Sequence, residues 1–389
     1  MITDGFLFLT VLLLMAAGLG LLEKHSGWRL FAILPGIVLL YFSVMLASSL
    51  GLWSQSDSIR ATYSVVRNNL LPAMIFLMLL KSDLRAIAHL GPRMLGAFFT
   101  AVITIMLGFV ITFAIFHRWL EPDSWKTFAA LSGSWMGGTG NMAAIQSALD
   151  VPDSRMGYTL LMDSIDYAIW VMILLALVPF AGLFNRWTNA DSSLLAKAGE
   201  RLAQQHEAKA AGTTVTQLNL LVLLSLSFLV SAVSQHLASL LPTTAFLTSM
   251  TWTILLVTLA GVLAAMTRLG RLAGSVELSQ IMLLVIIALI ASRADFADLV
   301  KAPIYVTAGL MILCIHGLLM ALVAKLFRLD LFTCGVASLA NIGGVASAPI
   351  LAAAYSKALI PVGVLMAMLG YVVGTAGGLL VGKMLFWLA

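Results

Sequence analysis

Runs of Leu, Val, Ile, Ala, Met and Phe alternate with short polar stretches. Twelve apolar segments stand out, at 6–22, 30–52, 69–80, 93–116, 127–149, 157–184, 217–235, 244–266, 276–292, 303–326, 332–354 and 360–388. A helix needs roughly 20 apolar residues to cross a bilayer, and most of the segments approach or exceed that length. In hydrocarbon every backbone N–H and C=O must find an internal partner, so the segments are predicted to be helices and the fold all-α. The first run follows Met-Ile-Thr-Asp, which has no Lys or Arg, and so reads as a retained span rather than a cleaved leader.

One connection is longer and more polar than the rest. Residues 185–216, with NADSSLLAKAGERLAQQHEAKAAGTT, are rich in helix formers and read as a linker on the cytoplasmic side, with an amphipathic surface helix as one option and a plain loop as the other. The chain accordingly divides into an N-terminal membrane repeat at 1–184, the polar linker at 185–216 and a C-terminal membrane repeat at 217–389.

Composition sharpens this reading. Of the 389 residues, 61% are hydrophobic and 10% charged, with a mean hydropathy of +1.02. An average soluble domain carries roughly 25% charged residues, so a water-soluble core is excluded. The net charge of +5 is scattered over the short segments between apolar runs, a distribution that orients a membrane protein rather than one that binds nucleic acid. The two cysteines, Cys314 and Cys334, form neither a disulfide framework nor a metal-ligand spacing, and no cofactor is called for.

Three landmarks recur in the same order in both halves. Asp83 in LLKSDLRAIAHLGP matches Asp295 in LIASRADFADLVKAP, an offset of 212. Gly137 in WMGGTGNMAA matches Gly343 in ANIGGVASAP, an offset of 206. Tyr167 in MDSIDYAIW matches Tyr371 in AMLGYVVGT, an offset of 204. Repeats of this size are a signature of secondary transporters. If all twelve segments cross, the halves are parallel and the 22 Lys and Arg divide 13 to nine. If the Gly-rich segments are instead re-entrant, the halves are inverted and the division is 14 to eight, with the linker on the richer, cytoplasmic side and both termini outside. The expected fold is therefore an all-α polytopic membrane protein of two homologous, inverted repeats, each with a Gly-rich broken helix or re-entrant hairpin.

The Gly-rich segments carry the candidate chemistry. Residues 128–149 hold Gly133, Gly137, Gly138 and Gly140 among Ser132, Ser134, Thr139 and Asn141, and each glycine costs a helix about 1 kcal/mol relative to Ala. Their counterpart at 332–354 holds Ser338, Asn341, Gly343, Gly344, Ser347 and Pro349, where Pro349 removes a backbone donor. Opened backbone survives in a membrane only where it is buried in protein or lines a wet cavity. There its free groups bind ions or polar solutes. Close helix packing through small residues is the plainer alternative. Ser134, Gly137, Gly138, Thr139, Asn141, Asn341, Gly343, Gly344 and Ser347 are the candidate solute ligands. Asp163 and Asp166, three residues apart and hence on one helix face, bring acids into an apolar run and are the candidate ion-coupling residues. His316, deep in ILCIHGLLMALV, reads as a neutral histidine bonded to a backbone carbonyl. Lys81, Asp83, Arg293 and Asp295 read as interfacial anchors, and Lys383 as a snorkelling one.

SGSWMGGTGNMAAI with MDSIDYAIW, paired with ASLANIGGVASAP and GVLMAMLGYVVGTAGG, resembles the bacterial membrane family catalogued as domain of unknown function 819, over nearly the whole chain. The resemblance implies membership of the cation:proton antiporter and anion transporter grouping. The paired Gly-Gly segments are similar in architecture to glutamate:sodium symporters and 2-hydroxycarboxylate transporters, whose repeats are inverted and carry re-entrant hairpins. It also implies an acidic position at Asp166, although relatives often read Asp-Asn where this chain reads Asp166-Tyr167.

The function expected is secondary active transport of a small organic solute, anionic and of carboxylate, amino-acid or peptide-like type, coupled to Na⁺ or H⁺ by alternating access in a bacterial inner membrane. Expected partners are that solute, the lipid bilayer and, as an option, a second copy of the chain in a homodimer. A channel or uniporter is the alternative. An intramembrane enzyme is the remoter one, because both acids lie on one helix and no Gly-x-Ser-x-Gly or His-Glu-x-x-His arrangement occurs.

Overall fold

The computed structural model describes residues 1–27, 31, 35–190, 214–244 and 247–389. Most of the 185–216 linker, and with it the amphipathic-helix reading, lies outside the described residues. Among these residues the chain is helical, with no strand beyond one isolated bridge between Ile2 and Trp53. The helices are α1 (Gly5–Ser26), α2 (Gly36–Ser49), α3 (Asp57–Leu79), α4 (Leu84–Ala88), α5 (Gly91–Phe116), α6 (Ser124–Gly137), α7 (Thr139–Ala148), α8 (Met156–Leu177) and α9 (Ala181–Thr188). They are followed by α10 (Gln217–Ser239), α11 (Ser249–Ala265), α12 (Ser275–Ala291), α13 (Ala302–Phe327), α14 (Leu331–Ile342), α15 (Gly344–Tyr355) and α16 (Ile360–Phe386). Six helical stretches are long and apolar enough to cross a bilayer, namely those built on α1, α5, α8, α10, α13 and α16. The protein is thus an all-α polytopic membrane protein.

Several helices begin with a side chain that satisfies a free N–H of the first turn. Asp4 accepts from Leu7 N, Ser56 from Ile59 N, Thr216 from Asn219 N, Thr248 from Thr251 N and Asp330 from Thr333 N. α3 starts well before its apolar run. Its first half carries Asp57, Arg60, Arg67, Asn68 and Asn69, so hydropathy hides it while the capping serine starts it. Pro72 inside α3 has no N–H for the carbonyl of Asn68 four residues back. Gln235 of α10 donates to that carbonyl at 3.2 Å.

The two Gly-rich segments are helical hairpins. In a straight helix residues 133 and 141 stand ~12 Å apart along the axis. Here a Cβ on Gly133 would lie 3.1 Å from the carbonyl oxygen of Asn141, so α6 and α7 fold back on each other. Likewise a Cβ on Gly335 would lie 3.2 Å from Leu351 Cδ2, so α14 and α15 do the same. The first tip turns at Gly138, whose φ of 83° and ψ of 171° suit glycine and little else. The second turns at Gly343 and Gly344.

Contacts sort the helix ends into two faces. On one, Ile2 pairs with Trp53, Trp53 donates to Ser292 O, Tyr158 reaches Glu121 and Lys301, and Trp125 stacks on Phe386. On the other, Lys81 donates to Leu272 O, Arg93 to Arg328 O and Lys325 to Trp187 O, and Asn185 accepts from Leu331 N. The first face holds both chain termini and the roots of the first hairpin. The second holds the ends of the 185–216 linker segment and the root of the second hairpin at Leu331. The hairpins therefore enter from opposite faces.

Candidate functional site

An arm of 14 residues, such as α6, reaches ~21 Å from its face and one of 12, such as α14, ~18 Å. Across a hydrocarbon core of ~30 Å the two tips must meet near the middle. They do: Gly138, Thr139, Gly343 and Ala346 line two cavities in common.

The first cavity, about 210 Å³, lies on the terminal-face side of the tips. It is lined by Ser134 of α6, by Leu160, Asp163, Ser164 and Tyr167 of the first turns of α8, and by Pro35, Ile37 and Val38 at the start of α2. Asp163 is the only charged group among its lining residues. Its Oδ2 accepts a hydrogen bond from Ser134 Oγ at 3.0 Å. The second cavity, about 310 Å³, lies on the linker-face side. It is lined by Lys81 just past α3, by Val276, Ser279 and Gln280 of α12, by Val364, Met368 and Tyr371 of α16, and by Gly140, Gly344 and Val345 of the tips. Lys81 is the only charged group among its lining residues. Its Nζ donates to Gly270 O at 3.2 Å and Leu272 O at 2.9 Å, which leaves one of three ammonium protons unassigned. The exposed Glu277 is within electrostatic range of Lys81.

The tips add a second polarity. Helix N-termini carry a partial positive charge and C-termini a partial negative one. First-turn residues of α7 and α15, among them Thr139 and Ala346, line both cavities, whereas residues of the last turns of α6 and α14, Ser134 and Ile342, line the Asp163 cavity alone. The positive ends of the return arms thus face both chambers, and the negative ends of the entering arms face only the Asp163 chamber.

Of the residues singled out in the sequence, Ser134, Gly138, Thr139, Gly343, Gly344 and Asp163 lie on the cavity walls. Gly137, Asn141, Asn341 and Ser347 are packed behind the tips. Asn141 Nδ2 donates to Gly137 O at 2.6 Å, its Oδ1 accepts from Thr375 Oγ1, and Asn341 Nδ2 donates to Ala337 O at 2.9 Å. Asn141 thus ties α7 to α6 and to α16, and Asn341 bonds back within its own arm. Ser347 is buried against Gly343. Asp166 lines neither cavity. It points at α13, where its Oδ2 fills the space a side chain at Gly309 would need, and neither of its oxygens has a hydrogen-bond partner among the described residues. The 60° between positions i and i+3 is enough to send Asp163 to the hairpins and Asp166 to a different helix.

Lys81, Gln280 and Tyr371 enter the site without having been assigned to it from sequence. Lys81 reads as an interfacial anchor because its segment ends an apolar run. Its proximity to the hairpin tips is a matter of helix packing that local pattern does not encode. His316 differs too: its ring bonds to the hydroxyls of Thr104 and Ser338, both at 2.8 Å, rather than to a carbonyl.

An all-α membrane protein with two hairpins meeting at paired cavities is the class that this fold and site define. The chain belongs to the family described as Protein of unknown function (DUF819), which matches residues 10–388. It is also 23% identical over 377 residues to the uncharacterized membrane protein YjcL of Bacillus subtilis (strain 168), a match that covers 93% of this chain and 92% of that protein.

Proposed function

We propose that this protein is a secondary active transporter of a bacterial inner membrane, built from two inverted repeats. It moves a small organic solute bearing a carboxylate by alternating access, with coupling to Na⁺ or H⁺. The observation that carries the reading is the pair of hairpins from opposite faces whose tips lie between two chambers, one holding Asp163 and the other Lys81. A solute held at the tips is exposed to one side or the other according to which hairpin packs more tightly, which is the requirement for alternating access. The linker face is cytoplasmic in this reading, in accord with its 14 Lys and Arg. Asp166, a buried carboxyl without a hydrogen-bond partner, is the coupling group for the cation, with Asp163 at the solute.

The test is electrogenic or tracer uptake into proteoliposomes carrying the purified protein, under imposed Na⁺ and H⁺ gradients separately. Accumulation against a gradient that collapses when one ion gradient is removed supports the proposal. Flux that needs neither gradient assigns the protein to channels or uniporters.

A further inference from the structure

The geometry points to a zwitterionic solute whose ammonium and carboxylate are several bonds apart, the class of dipeptides and ω-amino acids. The inference rests on the transport reading of the hairpin site and specifies its solute. Two adjoining chambers of opposite polarity meet at Gly138, Thr139, Gly343 and Ala346. One holds the Asp163 carboxylate and the last turns of α6 and α14, the other the Lys81 ammonium, and the first turns of α7 and α15 face both. A simple anion would use the second chamber and leave Asp163 facing it across the tips without a counter-charge, and charge buried without a partner is costly. A molecule with both charges satisfies both chambers at once. Because the two charged side chains line different chambers that adjoin at residues of both tips, an α-amino acid, whose nitrogen and carboxylate carbon are bonded to one and the same carbon, is too short to reach both. The combined space, a few hundred Å³, suits a molecule of dipeptide size.

Binding to the full-length protein in lipid nanodiscs, read as a shift in thermal unfolding and as calorimetric Kd, tests this directly. The probes are glycylglycine and 6-aminohexanoate. Each is compared with an analogue lacking one charge: N-acetylglycylglycine and glycylglycinamide for the first, hexanoate and 6-aminohexanamide for the second. All are measured in Na⁺ and in choline buffer. At least one zwitterion is expected to bind in both buffers, with every single-charge analogue tenfold weaker or worse. Asp163→Asn is expected to erase the discrimination against N-acetylglycylglycine and hexanoate, and Lys81→Gln that against glycylglycinamide and 6-aminohexanamide. Hexanoate binding as tightly as 6-aminohexanoate, and only with Na⁺, would overturn the assignment by showing that the Asp163 chamber holds a separate cation. Absence of binding by both zwitterions would overturn it as well. Where either variant does not purify folded, the analogue series on the unaltered protein decides. Tracer exchange in proteoliposomes separates this inference from the one beneath it, since a zwitterion that binds as described but is never exchanged refutes transport and leaves the assignment of the site intact.

Discussion

The two long helices that follow the hairpins, α8 and α16, meet the hairpins in opposite ways. At the 204-residue offset that aligns Tyr167 with Tyr371, the positions Asp166, Trp170 and Leu174 of α8 correspond to Gly370, Gly374 and Gly378 of α16. The glycines bring α16 backbone-to-backbone with the first hairpin: a Cβ on Gly374 would lie 2.6 Å from Gly137 Cα, and one on Gly378 3.1 Å from Gly133 Cα. On α8 the large side chains hold the second hairpin away. Trp170 Nε1 donates to Ser338 Oγ at 2.8 Å, and beside this contact a cavity of about 220 Å³ remains between α8, α13 and α14. The second hairpin also meets α16 closely, a Cβ on Gly363 lying 2.7 Å from Ala348 O and one on Gly370 3.2 Å from Ala340 O, so the contrast lies on the α8 side, where a hydrogen-bonded tether and a cavity take the place of glycine packing.

The tether is directional. Trp170 donates to Ser338, Ser338 contacts His316 Nε2, and His316 Nδ1 contacts Thr104, which also reaches the carbonyls of Thr100 and Ala101. Every donor and acceptor is used if the ring proton sits on Nδ1: Ser338 then donates to Nε2, Nδ1–H donates to Thr104, and Thr104 donates to a carbonyl. With the proton on Nε2 the Ser338 hydroxyl would have no acceptor in this chain of bonds.

Substitutions break or sharpen the contrast. The largest effect is expected at Gly374, where Gly374→Val drives a side chain into the backbone of the first hairpin and should abolish monodisperse folded protein in size-exclusion chromatography. Gly374→Ala should fold with a lowered unfolding temperature, at a cost of ~1–3 kcal/mol. On the tethered side His316→Leu removes the central link and strands the Ser338 hydroxyl, for a similar ~1–3 kcal/mol without loss of fold. Trp170→Phe deletes one neutral hydrogen bond, ~1 kcal/mol, and should speed amide exchange in α14 more than in α6. Smallest in stability is Asp166→Asn, which removes no hydrogen bond seen among the described residues and should leave the unfolding free energy within about 1 kcal/mol of unchanged, while solute accumulation loses its dependence on the driving cation.

Much of this was legible in the chain. The apolar runs became helices within a few residues of their boundaries, because a segment without polar side chains has no other way to satisfy its backbone in lipid. α3 was legible only in its second half, because its charged first turns reduce the local hydropathy. The Gly clusters marked both breaks, but composition does not say whether a broken helix continues or turns back. That was decided by Gly133 and Gly335, whose missing side chains let the returning arm approach. The acids were found and their separation was not, since a shared helix face is wider than the angle between two neighbours. Lys81 marks the linker face as an anchor would, and that it also lines a cavity with the tips depends on helix packing that local pattern does not encode. The glycines of α16 carry no assigned role in the sequence pattern, and their contact with Gly133 and Gly137 appears only in the packed structure.

The central claim is that the hairpins enter from opposite faces and return to them. Single cysteines placed at Pro122 and Pro152, which flank the first hairpin, and at Phe327 and Lys357, which flank the second, are all exposed positions. In a background with Cys314 and Cys334 replaced by serine, a membrane-impermeant maleimide applied to intact cells and then to inverted vesicles reads the face of each. The account predicts that the first pair reacts only in cells and the second only in inverted vesicles. Reaction of the two flanks of one hairpin from different sides, or of all four from the same side, would contradict it.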